Sequence, residues 1–364
     1  MRSVRTCPVP GEGQDVVVSK VVPCSHLPLL REWTRPEVAT LATRGGALDN
    51  AEFLRFAEQF KNWGRWGPDD EVGTLNFVTP EAIVQACRLV KKGKVFPLGI
   101  PLDSGGPQRQ RADNKRFNPV HTMLKTGFDF PGAGTGQPPP HIQSSDDAIS
   151  MPLQSVTQWD ALAHFMLNGK MYNGHPYTMV DGQGAQKNSI DKIRGKTIGR
   201  GVLLDFPRCK GVPWLARAEA ITAADMDGCA RRQKVEVREG DFLLVRTGNL
   251  AMYRDGGKGW DDFAGGPRPG LGVSTIKWLH DKRVASVAAD NYGVEVSPAD
   301  VPDQRVTLHP IGIAYMGLLL GEIFDFEKLA EDCAADGVYD FLFVAPPLPV
   351  TRGVGSPIDP YAVK

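Results

Sequence analysis

Two hydrophobic periods run through this chain, and the places where they change outline its elements. A helix is predicted from about Asn50 to Phe60, broken where Gly and Pro enter Trp63-Gly64-Arg65-Trp66-Gly67-Pro68. A second helix follows Thr79-Pro80-Glu81, with Thr79 as N-cap, Pro80 at the first helical position and an apolar face through Ile83, Ala86 and Leu89. Short β-type runs bounded by turn residues are then expected at Gly201 to Phe206, Asp241 to Thr247, Val284 to Ala289 and Phe341 to Ala345. Helices alternate with some of them, near Thr222 to Arg232, Ser274 to Asp281 and Phe326 to Ala334. The pattern predicts an α/β fold with a mostly β core.

Two regions escape this reading. Residues 1–60 open with mixed Pro, Gly and charge and form an expected N-terminal extension, leaving 61–364 as one catalytic domain. Residues 103–147 are rich in Gly, Pro, Asn and Gln, which predicts a long irregular loop of the kind that often serves as a lid.

Composition narrows the partners. With 42 basic and 42 acidic residues the formal net charge is zero, so no global field favours nucleic acid or an anionic membrane, and a small-molecule substrate is expected. The longest apolar stretch, Ile311 to Leu320, is half a membrane span and holds two glycines. The first residues lack the apolar run of a signal peptide, and the 6 cysteines form no Cys-x-x-Cys pair, so a cytoplasmic protein with reduced thiols is expected. Gly132-Ala-Gly134-Thr-Gly136 lacks the strand-before, helix-after setting of a nucleotide loop.

The segment that carries chemistry is Gln154-Ser-Val-Thr-Gln158-Trp-Asp160-Ala-Leu-Ala-His164. Its first half reads as a strand with Gln154, Val156, Gln158 and Asp160 on one side. Its second half, Asp160 to Asn168, reads as a helix with Asp160 four residues before His164. A carboxylate and an imidazole so spaced, beside two amide oxygens, suit a divalent cation. The same spacing also suits an N-capping Asp160 and a hydrogen-bonded core His164.

This segment resembles the His-x-Gly-Thr-His-x-Asp-x-Pro-x-His signature of the cyclase family of metal-dependent hydrolases. Thr157, Asp160 and His164 match in register, whereas Gln154 and Gln158 stand where the family has its first two histidines. Gly201-Val-Leu-Leu-Asp205, the run from Gly240 to Gly248, and Gly353-Val-Gly-Ser-Pro357 extend the resemblance in order. It implies a swivelling β/β/α domain that forms a homo-oligomer, with His309 and Glu322 joining Asp160 and His164 at one divalent ion, Zn or Mn. His164 is then a ligand or the acid-base group. The implied activity is hydrolysis of a compact lactone, ester or amide. A lyase that stabilises an enolate, or a binding protein on a disabled site, are the alternatives.

Around that centre, Gln154 and Gln158 are candidates to bond water or substrate, each offering donor and acceptor. Asp290, at the end of an apolar strand, and Trp159 are candidates for the surrounding shell. His121 in the long loop and His175 in Tyr172-Asn173-Gly174-His175 read either as substrate contacts or as surface and turn residues.

Overall fold

The computed structural model describes residues 50–109, 115–138, 140–257 and 259–364. Of the extension expected over residues 1–60, residues 1–49 lie outside the described residues. Among these residues the main sheet has nine strands, in the order Val95–Pro97, Tyr361–Val363, Asp340–Val344, Ile198–Asp205, Phe242–Arg246, Ser286–Ala289, Leu319–Glu322, Gln158–Asp160 and Gly355–Pro357. Its middle is parallel: Ile198–Asp205, Phe242–Arg246, Ser286–Ala289 and Leu319–Glu322 run the same way. The outer strands are antiparallel, so the sheet is mixed and the fold is α/β.

Burial on both faces explains the near-continuous apolar sequence of the central strands. Val202, Leu204, Leu243, Val245, Val287 and Leu320 enter one apolar core. Leu203, Phe242, Leu244, Ala288 and Leu319 enter the other. Each strand alternates between the two, as a pleat requires.

The predicted helices form at Pro80–Cys87, Ala223–Gln233, Ser274–Lys282 and Glu327–Asp336. The Thr79 side chain accepts from Ala82 N, and Thr222 closes a capping box with Asp225. The helix Asn50–Glu58, assigned to the extension by sequence, places Phe53, Phe56 and Ala57 in the first core. No helix among the described residues is long and apolar enough to cross a membrane.

One expectation needs correction. Part of the 103–147 segment is ordered: Val120–Lys125 pairs with Asp146–Ser150 as an exposed antiparallel hairpin with a register shift between Met123 and Lys125. The apolar stretch from Ile311 divides into a buried π-helical turn, Pro310–Met316, and the strand Leu319–Glu322.

Candidate metal centre

Strand pairing assembles the centre. Gln158–Asp160 lies antiparallel to Leu319–Glu322, with Asp160 opposite Leu320 and Gln158 opposite Glu322. Side chains alternate across a strand, so Gln158 and Asp160 share a face with Glu322 while Trp159 points the other way. His309 enters from the residue that precedes the π-helical turn. Glu322 thus stands at the carboxyl end of a parallel strand, a usual place for a site in an open α/β sheet.

The helix expected from Asp160 to Asn168 is absent. Leu167 N, which such a helix would bond to Ala163 O, donates instead to Lys170 O at 2.9 Å, while Ala161 N and Ala163 N are held by Val354 O at 3.1 Å and Asn188 O at 3.0 Å. A tight turn, closed by His164 N on Ala161 O at 2.8 Å, replaces it. Residues 154–157 bend rather than extend the strand, because Thr157 is tied to neighbouring loops: its hydroxyl accepts from Ile100 N at 2.9 Å and its carbonyl from Ile358 N at 3.0 Å.

One donor atom from each of Asp160, His309 and Glu322 lies within 4.8 Å of the others, and all three residues are buried. His309 Nε2 is 3.2 Å from Glu322 Oε1 and 3.6 Å from Asp160 Oδ2. On its other side, His309 Nδ1 is 2.5 Å from Glu295 Oε1. An ionised carboxylate only accepts, so Nδ1 carries the hydrogen and Nε2 faces the two remaining carboxylates. His164 Nε2 approaches the other Asp160 oxygen, Oδ1, at 3.8 Å and keeps 16% of its side chain exposed.

The charges explain why a cation fits. Burial opposes charge on Asp160, yet His164, His309 and Arg116 together outweigh it and hold the carboxyl below its ordinary range. Burial also disfavours charge on His309, but the contacts to Asp160, Glu295 and Glu322 raise it well above its ordinary value. The same contacts that favour a proton on Nε2 would favour a cation between the carboxylates. Both carboxylate oxygens of Asp160 are buried without a hydrogen-bond partner among the described residues, as is Gln158 Oε1. Buried polar atoms rarely remain unpaired, so these donors fit a metal.

Comparison with known proteins places the chain. The model of the family described as "Putative cyclase" matches residues 78–296. The chain belongs to the cyclase family. A crystal structure described as a novel cyclase is 41% identical, covers 85% of this chain and 99% of its own, and superposes with a TM-score of 0.76. Isatin hydrolase A from Ralstonia solanacearum is 16% identical over 74% of this chain and 92% of its own, with a TM-score of 0.55. An isatin hydrolase bound to the product analogue thioisatinate is 15% identical over 78% and 98%, also at 0.55. The cyclase fold is therefore also that of the isatin hydrolases. No curated protein matches the sequence.

In this cyclase-family protein the glutamines at the two motif positions behave differently. Gln158 donates through Nε2 to Glu322 Oε2 at 3.1 Å and so orients a carboxylate of the centre. Gln154 lies over Gly355 of the neighbouring strand, where a Cβ would come within 2.4 Å of its Nε2, and that Nε2 has no partner.

The remaining candidates are dispersed. Trp159 packs on Phe324 and Phe343 in the second core and donates to Ala345 O at 2.9 Å, away from the centre. Asp290 accepts from Thr247 N, Thr247 Oγ1 and Gly248 N, which fixes the turn before the helix Asn249–Arg254. His121 sits exposed on the hairpin with Asp147 at 2.8 Å. His175 follows the Tyr172–Gly174 turn, half-buried, and burial pushes its imidazole below the ordinary value.

Sequence reasoning missed Glu295, Arg268, Arg116, Tyr292 and Phe165. The Phe165 ring covers His309 with centroids 4.8 Å apart, and Arg116 Nη1 donates to Tyr292 Oη at 2.9 Å. Only adjacency to His164 could have drawn attention to Phe165; the others lie in segments whose meeting depends on topology.

Proposed function

We propose that this protein is a metal-dependent hydrolase that opens a small cyclic or compact ester, lactone or amide, with Asp160, His309 and Glu322 holding one divalent ion, Zn or Mn. The buried Asp160 carboxylate, without a hydrogen bond beside Glu322 and the Glu295-anchored His309, carries this reading. The donor set of one imidazole and two carboxylates suits either metal. When bound, the ion supplies Lewis acidity toward an acyl oxygen and activates a water.

The chain's own residues do the rest. Glu295 fixes the His309 tautomer and ring, and Gln158 fixes Glu322. Phe165 shields His309 from bulk water. Burial pushes His164 below its ordinary value against the pull of Asp160, and Arg116 and His309 add to the depression. A neutral, partly exposed imidazole at this place takes the proton of the attacking water and returns it to the leaving oxygen or nitrogen.

The test is turnover of lactones, cyclic imides and N-formyl anilines by Mn- and Zn-loaded protein in H₂¹⁸O. Hydrolysis puts one ¹⁸O into the acid product. A product formed without ¹⁸O would replace hydrolysis with lyase chemistry.

A further inference from the structure

A cavity of about 550 Å³ lies beside the metal centre, with Arg116, Arg268, Arg305, Tyr292, Pro298 and Val306 in its wall. Two connections fix its position. Ile323 N, one residue past Glu322, donates to Asn291 O at 3.1 Å, which sets Tyr292 next to the centre. Arg268 exchanges backbone bonds with Ser297 at 2.9 and 3.0 Å, two residues from the Glu295 that holds His309. Among the described residues the wall contains three arginines and no carboxylate.

Arg268 is the informative residue. It is only 8% exposed, its Nε has no hydrogen-bond partner, and Nη1 makes a long 3.3 Å contact to Gly266 O. No carboxylate pairs with it among the described residues. Glu322 and Glu295 attract its charge only from a distance, and burial leaves its pKa below the ordinary value. Gly293 permits this placement, since a Cβ there would lie 2.7 Å from Nη2. The Arg268 and Arg116 guanidinium groups each stand 5.6 Å from the Tyr292 ring centroid. A buried guanidinium without a counter-ion is costly unless a ligand supplies one.

We propose that this cavity is an anion subsite in which Arg268, with Arg116 beside it, receives a carboxylate of the substrate, distinct from the acyl group that is cleaved. The inference rests on the hydrolase reading and narrows its substrate class to compact, partly apolar carboxylic acids that carry a hydrolysable ring or acyl bond. The planar fork of Arg matches a carboxylate. Pro298, Val306 and the Tyr292 ring provide walls for the apolar part.

Calorimetry with benzoate, benzamide and inorganic phosphate tests this on the metal-loaded parent, Arg268→Gln, Arg268→Lys and Asp160→Asn, each with its metal content and melting temperature measured. Benzoate is expected to bind the parent at least about tenfold tighter than benzamide, and Arg268→Gln to lose about tenfold to a hundredfold in benzoate affinity. Arg268→Lys is expected to recover part of that loss. Asp160→Asn should lose metal and keep benzoate, which separates the subsite from the metal reading. Equal binding of benzoate and benzamide, or undiminished benzoate binding in Arg268→Gln, would overturn the proposal. So would binding of phosphate in place of benzoate, or loss of benzoate only in Asp160→Asn.

Discussion

Replacing Glu295 by Gln probes the support of the metal centre without touching the proposed ligands. Its buried carboxylate accepts from Thr307 Oγ1 at 3.1 Å, Leu308 N at 2.9 Å and His309 N at 3.1 Å, and from Thr307 N and the His309 ring. Gln keeps one acceptor oxygen and turns an NH₂ group toward the donors of the other. If the amide faces the backbone, Thr307 and Leu308 lose their acceptor; if it faces the imidazole, the Nδ1 hydrogen does. A buried donor left unpaired costs about 1 to 3 kcal/mol, and loss of such an outer partner typically lowers metal affinity about tenfold to a hundredfold. Competition with a chelator gives the affinity, and thermal unfolding with and without metal separates it from folding. A dissociation constant within twofold of the parent would show that Glu295 does not orient His309.

Two further changes act elsewhere. His164→Ala is expected to lower turnover of a hydrolysed substrate by about 10² to 10⁴ while costing no more than about 1 to 3 kcal/mol of stability for the loss of a largely buried side chain; near-normal turnover would remove it from the mechanism. At Asp290, burial pushes the carboxyl up to about 6 from its ordinary 3.8 despite the Thr247 bonds. Its proton thus contributes stability that is fully present below about pH 4 and is lost as pH rises through 6. Asp290→Asn does not titrate, so the parent's stability relative to this variant should fall by up to about 1.4 kcal/mol per pH unit across that window in denaturant unfolding. A constant difference would contradict the raised value.

The strands and helices with strong periods were legible, since local pattern and burial agree there: Phe242, Leu243, Leu244 and Val245 form an unbroken apolar run, and all four are buried. The Thr79 cap was legible for the same reason. The turn after Asp160 was not. Ala161-Leu162-Ala163 favours a helix on propensity, but Leu167 gives its amide to Lys170 O and not to Ala163 O, and backbone bonds to Val354 and Asn188, far along the chain, hold the segment as a turn. Asp160, His309 and Glu322 were identified through a family pattern; the strand pairing that joins the first to the third leaves little trace in local sequence. Glu295 and Arg268 leave still less, because a lone acid or base in a loop reads as surface until burial shows otherwise.

The most direct test is the metal content of purified protein after loading with Mn or Zn and removal of excess, compared with Asp160→Asn and Glu322→Gln. About one divalent ion per chain is expected in the parent, from the three clustered donors with His164 at their edge, and substoichiometric metal in both variants. A parent that retains no divalent ion, or variants that hold as much as the parent, would contradict the metal centre on which the account rests.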